Sequence, residues 1–295
     1  PTYRRPSHFR QYFYARGKQR SGVQSGTGIP HQMEDNVATA QINLKSPAPP
    51  MVAPNVVRLD RAAPILPEQH RDAIFDVAHK HAVDRRIVPA GAELFAEGEV
   101  SENLYVVLDG WLFLHRILED GRRQILDFAL RGAVLGYRGH AQIPFTFSVE
   151  AVTNAEVAVI PISRVNELFQ RGSTCAMTLL DATNNALLGA FDNLTDVGRR
   201  TAREAVAHFL LRMDRRIRRT SMTNGNDPIP FPLTQEHIGD ALGLTAVHVC
   251  RTLRALRADG LIETGRGRLN LLDREALANE AGVFTCDSDD TRLAS

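Results

Sequence analysis

The spacing of apolar positions divides the chain into stretches of different period. Between Leu66 and His81, a Pro-Glu start followed by Ile74, Phe75, Val77 and Ala78 predicts a short helix. The apolar runs that follow, up to Phe169, are brief: LYVVL, WLFLHRIL, QILDFAL, FTFSVEAV and EVAVIPI. Turn signals part them at Pro89-Ala-Gly91, Glu97-Gly98, Asp109-Gly110, Glu119-Asp-Gly121, Arg131-Gly132 and Thr153-Asn154. A spacing of about 8 to 12 residues between such runs predicts an antiparallel sandwich or barrel.

Beyond Cys175 the period changes. Ala176, Leu180, Thr183, Leu187, Ala190, Leu194 and Val197 follow one another at alternating spacings of four and three, the seam of a coiled coil. Such a seam between a β unit and a helical unit predicts a parallel pairing with a second copy of the chain. A further helix is expected from Arg199 to about Met213, with Ala205, Val206, Phe209, Leu210 and Met213 on one side. Arg215, Arg216, Arg218 and Arg219 come next, and a Pro-rich link, Asp227-Pro-Ile-Pro-Phe-Pro232, follows.

The segment LTQEHIGDALGLTAVHVCRTLRALRADGLIE carries the most specific pattern. Thr234 is placed to cap a helix from about Gln235 to Leu242, and Gly243 to end it with positive φ. Thr245 caps the next helix almost at once, so the two helices must cross steeply, as in a helix-turn-helix. Gly239 gives room at the crossing, and Ile238, Leu242, Leu244, Val249, Leu253 and Leu256 supply the shared core. With those positions inward, the second helix presents Ala246, Val247, Cys250, Arg251 and Arg254 outward, with His248 at the margin. An arginine there can make two hydrogen bonds to guanine O6 and N7 in the major groove. LIETGRGRLNLL then predicts two strands about a tight turn at Gly265-Arg-Gly267, a wing whose Arg266 and Arg268 reach phosphates. Each piece alone fits a small helical bundle; their order points to DNA.

Composition and charge narrow the reading. The 43% hydrophobic and 23% charged content is that of an ordinary globular protein, and 295 residues suffice for two domains. No apolar run is long enough for a membrane span and no secretory signal is recognisable, which makes the cytoplasm the default location. Net charge is only +1, but it is unevenly placed: Arg4, Arg5, Arg10, Arg16, Lys18 and Arg20 are the only charges before Met33. Residues 1–65 read as a flexible basic, Pro- and Gly-rich arm, fit either to grip phosphate or to serve as a solvated extension. Residues 281–295 read as a tail. Cys175, Cys250 and Cys286 are too far apart for a zinc or iron–sulfur site and odd in number for a disulfide framework. No nucleophile–base pair, metal-ligand spacing or phosphate loop suggests an enzyme, and His79 and His81 are unaccompanied.

In this order, a β unit, a long helix and a winged helix-turn-helix resemble the Crp/Fnr family of bacterial transcription regulators. The resemblance covers about residues 66–275 and is most specific in GWLFLHRILEDGRRQILDFALRG (110–132), VGRRTAREAVAHFLLRM (197–213) and LTQEHIGDALGLTAVHVCRTLRALRADGLIE (233–263). It implies an α+β chain: an antiparallel β-roll sensor of the cyclic-nucleotide-binding type (66–172), a dimerisation helix (173–198) and a winged helix-turn-helix (199–280). It also implies a homodimer on two-fold symmetric DNA, RNA polymerase as a partner, and a signal at the roll or dimer helix that turns the DNA-binding heads. Members that bind cyclic AMP hold the ribose with a Glu and the phosphate with an Arg-Ser pair. Aligned on Gly136 and Ala155-Glu-Val-Ala158, these fall at Tyr137 and at Phe145-Thr146, with Arg138 beside them. A Phe cannot neutralise a phosphate, so cyclic AMP binding is not expected, although Tyr137, Arg138, Phe145 and Thr146 still mark where an effector pocket would lie. The pair that touches the base in such members falls at Ala190-Phe191, which points the same way. Members with an iron–sulfur cluster use four cysteines, most near the N-terminus, and this chain has none before Cys175. Haem, with His115, His140 or an N-terminal group as ligand, is a lesser alternative. Cys250, beside Arg251 and near a helix start, is a candidate redox site. Many relatives carry Arg-Glu where this chain has Ala246-Val247, so a different base sequence is expected to be read. The rival from another class is a ligand-binding module whose helical C-terminus makes protein contacts only.

Overall fold

A strand whose two faces are both covered reads as an unbroken apolar run, and this accounts for the first half of the molecule. The computed structural model describes residues 68–138, 142–220 and 227–283, all within one compact unit. The arm at 1–65, His140 and Cys286 lie outside the described residues. Helix α1 (Glu68–His81) precedes eight strands: β1 (Asp84–Val88), β2 (Glu93–Phe95), β3 (Asn103–Asp109), β4 (Leu112–Ile117), β5 (Arg123–Ala129), β6 (Val134–Leu135), β7 (Ser148–Ala151) and β8 (Ala155–Pro161). They form two antiparallel four-stranded sheets, ordered β1-β8-β3-β6 and β2-β7-β4-β5.

The side chains alternate between cores as the two-residue period of a strand requires. On β3, Tyr105 and Val107 enter the core between the sheets, whereas Leu104 and Val106 pack outward with α1 residues Ile74 and Val77. On β4, Leu112 points inward and Phe113 outward. Three edge strands, β1, β2 and β6, were not expected from the apolar pattern, because β1 (DRRIV) is mostly polar and β2 and β6 are only three and two residues long. The last predicted run, EVAVIPI, forms β8, and helix α2 (Ile162–Gln170), not expected from the sequence, follows it, burying Ile162, Val165 and Leu168 at helical spacing.

Helix α3 (Thr174–Gly198) is capped by Ser173, whose hydroxyl accepts from Cys175 N at 3.2 Å. Helix α4 (Ala202–Thr220) differs from the expected 199–213 at both ends. Its start is set by Thr201 and Glu204: the Glu204 carboxylate accepts from Thr201 N at 2.7 Å, and Thr201 Oγ1 accepts from Glu204 N at 3.4 Å. This reciprocal capping was legible as T-x-x-E. The arginines expected beyond the helix continue it. Then come β9 (Ile229–Pro230), α5 (Gln235–Leu242), α6 (Ala246–Ala258), β10 (Ile262–Gly265), β11 (Arg268–Leu271) and α7 (Arg274–Glu280). The Pro-rich link thus contributes an edge strand, paired with β11 through Leu269↔Ile229, where proline's missing N–H is tolerated.

This helical head covers the outer face of the second sheet. Trp111, Phe113, Ile125, Phe128 and Leu130 share one core with Val206, Phe209, Leu210, Ile238 and Leu242. Trp111 meets Phe231 edge-on at 6.3 Å, Phe128 meets Phe209 at 5.7 Å, and Phe113 meets His237 at 5.3 Å between ring centroids. Polar links border these rings. Arg123 Nε donates to Asp240 at 2.8 Å, Gln124 Nε2 to the Ala241 carbonyl at 3.3 Å, and Arg216 Nη1 to Asp127 at 2.7 Å.

Two imidazoles lie in this junction. Burial first, and then the positive charge of Arg123, holds both His115 and His237 below the ordinary histidine value of 6.5. The unfolded chain therefore takes up protons at a higher pH than the folded one, so the stability these groups allow is complete above 6.5 and is lost as pH falls below it. Burial pushes the carboxyl of neighbouring Glu150 up, which acts in the opposite sense nearer the carboxylate range. The melting temperature is expected to drop between about pH 7.5 and about pH 5.5, and to drop less steeply in His115→Phe. An equally steep profile in that variant would remove His115 from the account.

Candidate nucleic-acid interface

The steep crossing of α5 and α6 follows from three local devices. At the start of α5, Thr234 Oγ1 accepts from His237 N at 3.1 Å while His237 Nδ1 accepts from Thr234 N at 3.2 Å, a capping box with histidine where Glu or Gln is usual. Gly243 ends the helix at φ 67°, in the left-handed region glycine enters freely. Gly239 lies so close to the next segment that a Cβ there would come within 2.5 Å of the Leu244 carbonyl oxygen. Thr245 then caps α6, its hydroxyl accepting from His248 N at 3.2 Å. Ile238, Leu242, Val249, Leu253 and Leu256 are buried between the helices, and Leu244 is half-buried.

What remains outward on α6 is one mixed edge. Val247, His248, Arg251 and Arg254 are exposed, Val247 by 69%, while Ala246 and Cys250 are half-buried. Among the described residues, Arg251 and Arg254 have no hydrogen bond or ion pair, unlike most arginines of the head. In the hairpin of β10 and β11, Arg266 (φ 51°) and Gly267 (φ 71°) form the two-residue turn, both with positive φ as a type I′ hairpin needs. Arg266 is exposed at that turn, whereas Arg268 folds back and donates to the Pro228 carbonyl. The two arginines paired in the sequence reading are thus in different states: one reaches out, the other braces the wing against the strand beside it.

On α3, Leu180, Thr183, Leu187, Ala190, Leu194 and Val197 all face out. Leu187 is 51%, Phe191 55% and Leu194 71% exposed. Ala176, the expected first seam position, is instead buried within its own chain. Met177 and Phe191 extend the outward stripe and were missed, although counting threes and fours back from Leu194 through Phe191 and Leu187 would have found them.

The four residues aligned with the effector position differ in exposure. Phe145 is 3% exposed and stacks on Phe95 at 3.7 Å. The Arg138 guanidinium lies 3.8 Å over the Phe145 ring and donates to the carbonyls of Ile143 and Ser101. Tyr137 stacks on Phe169 at 5.8 Å, and Thr146 is exposed. Nη1 and Nη2 of Arg138 are thus bonded, while its Nε is buried with no hydrogen-bond partner among the described residues. His115 is buried, with neither ring nitrogen hydrogen-bonded and Nε2 3.9 Å from Glu150. Among the described residues no group of three or more His, Cys, Asp or Glu could hold a metal ion, and no helix is long and apolar enough to cross a membrane.

Comparison with known proteins agrees with this architecture. Residues 85–172 match the cyclic nucleotide-binding domain and residues 204–280 the Crp-like helix-turn-helix domain. The nitrogen fixation regulation protein FixK of Bradyrhizobium diazoefficiens is 35% identical over 197 residues, 64% of this chain and 79% of that protein. The transcriptional activator FnrL of Cereibacter sphaeroides is 30% identical over 200 residues, 67% of this chain and 80% of FnrL. The solved structure of FixK2 from Bradyrhizobium japonicum superposes with a TM-score of 0.61 at 30% identity, covering 69% of this chain and 98% of FixK2. With both domains matched in order and relatives covered over most of their length, the chain belongs to the Crp/Fnr family of DNA-binding transcription regulators.

Proposed function

We propose that the protein acts as a homodimer that reads a two-fold symmetric DNA site through paired α6 helices and does so without a cyclic nucleotide. The observation that carries this reading is the uncovered apolar stripe of α3, immediately before the head. Met177, Leu180, Leu187, Phe191 and Leu194 would leave a long hydrophobic face in water unless a second copy covered it. Two heads joined this way address half-sites about 34 to 36 Å apart.

Within each half-site Arg251 donates to guanine O6 and N7. His248 and Arg254 assist at base edges or phosphates, and Val247 and Ala246 offer apolar contact suited to a thymine methyl. Thr234 and Thr245, at the two helix starts, and Arg266, at the wing turn, hold the backbone. Arg268 supports the wing and becomes a phosphate ligand only if it releases Pro228. Cys250 sits one residue before Arg251, so its oxidation would put bulk and negative charge against the groove. The Phe95–Phe145 stack under the Arg138 guanidinium supports a sensor that works without the nucleotide. An iron–sulfur centre lacks its ligands in the sequence, and haem on His115 would require freeing a ring packed at 5.2 Å from Phe113. RNA polymerase is the natural partner of such a regulator bound at a promoter.

Arg251→Ala should cost about 1–3 kcal/mol and relax one position of the selected site, whereas Arg266→Ala should weaken all sequences alike and reduce the salt slope by about 1. Selection from random-sequence DNA followed by titration at several salt concentrations measures both; an Arg251→Ala protein with the parent's full base preference would refute the assignment. Leu187→Asp should give a monomer by sedimentation and lose the two-fold site while leaving the head folded. If it stays dimeric, the α3 stripe is not the interface.

A further inference from the structure

The connection from α3 to α4 is only Arg199–Thr201, and beside it lies a cluster of charges sealed from water that base reading does not use. Asp196 is 1% exposed. Its Oδ1 accepts from Arg200 Nη1 at 2.6 Å and from His208 Nδ1 at 2.7 Å, and its Oδ2 is 3.6 Å from Arg212 Nη2. Arg212, itself buried, donates to the Gly189 carbonyl at 3.1 Å and to Asn193 Oδ1. Asn193 passes the chain on: its amide donates to the Leu126 carbonyl on β5. That carbonyl is available because β4 and β5 change register there, Leu114 pairing with Asp127 and His115 with Ile125, so Leu126 is the extra residue of a β-bulge. On the other side, Arg200 Nε donates to the Ala281 carbonyl at 3.3 Å, just past α7.

One polar network therefore ties three bodies together: the sensor sheet through β5, the long helix α3, and the head through α4 and the end of α7. Most of the surrounding contacts are apolar and tolerate small rotations at little cost, and the other polar links, Arg123–Asp240, Gln124–Ala241 and Arg216–Asp127, join the sheet to the head without passing through α3. Hydrogen bonds to a buried carboxylate do not tolerate such rotations, because every donor has a fixed direction and a lost bond leaves a charge buried without its partner.

We propose that the Asp196 cluster is the angular stop that sets the head on the long helix, and that it thereby fixes the half-site spacing the protein accepts. This rests on the homodimer reading above. Asp196 and Asn193 are positioning residues that touch no base. A rotation at the elbow moves the recognition helix at the far end of the head, so loosening the stop lets each head still find its own half-site while the distance between the two heads becomes indefinite. A purely stabilising role would instead lower affinity for every spacing alike.

The test uses the full chain. A two-fold site is selected from random-sequence DNA, and binding is titrated on a series in which the centre is lengthened or shortened by one or two base pairs. The parent should lose about tenfold or more in affinity for each altered spacing, and Asp196→Asn and Asn193→Ser should reduce that penalty to about threefold or less. Both variants should keep the dimer mass and the Arg251-dependent base preference. Uniformly weaker binding with the parent's spacing profile overturns the proposal. If Asp196→Asn does not fold, Asn193→Ser, which removes the link to β5 and the Arg212 contact but leaves Asp196 with Arg200 and His208, decides alone. Failure of the parent to select any two-fold site would overturn the homodimer reading, and this inference with it.

Discussion

The structure depends on one constraint: the second sheet of the roll is apolar on both faces. An antiparallel sheet can leave one side to water, but Phe113, Phe128, Ile125 and Trp111 project from the side that the roll interior does not use. Something must cover them, and α4 and α5 do. The head is therefore not a separate bead on a linker. Its position follows from burying those rings, and the border of ion pairs and amide contacts from Arg123, Gln124 and Asp127 fixes the register in which it does so. Pairs of this kind contribute modestly to stability, but they discriminate between neighbouring ways of packing the same apolar surface.

The same economy of space governs the roll. Within it Phe95 stacks on Phe145 with the Arg138 guanidinium laid over the ring. Two nitrogens of that arginine bond the carbonyls of Ile143 and Ser101, and its Nε is buried without a partner among the described residues. The outer face of the second sheet holds the head.

Much of this could be read from residue order. The caps at Thr234 and Thr245, the turn glycine at 243 and the small residue at 239 are local features, and each reports a local geometry directly. Relations between distant segments were not legible in this way. Ile229 joins a sheet only because β11 offers it an edge, Arg268 turns inward only because Pro228 lies beside it, and Ala176 is buried because helix α1 and its sheet close over that end of α3. His237 caps its helix in place of the usual acid, so the expected capping signature was absent. Arg123 and Asp240 are separated by more than a hundred residues, and nothing in either neighbourhood announces the pair.

The shared core of sheet and head has a consequence for modularity. In a chain whose domains meet across a wetted boundary, a DNA-binding head can be exchanged for another by recombination at the linker. Here the cut at Arg199–Thr201 would separate Phe113 from His237, Arg123 from Asp240 and Asp127 from Arg216. A transplanted head would arrive without the complementary surface and leave five aromatic or aliphatic side chains of the roll in solvent. New binding specificities in this lineage are thus more accessible by changing residues on α6, such as Val247, than by shuffling whole domains.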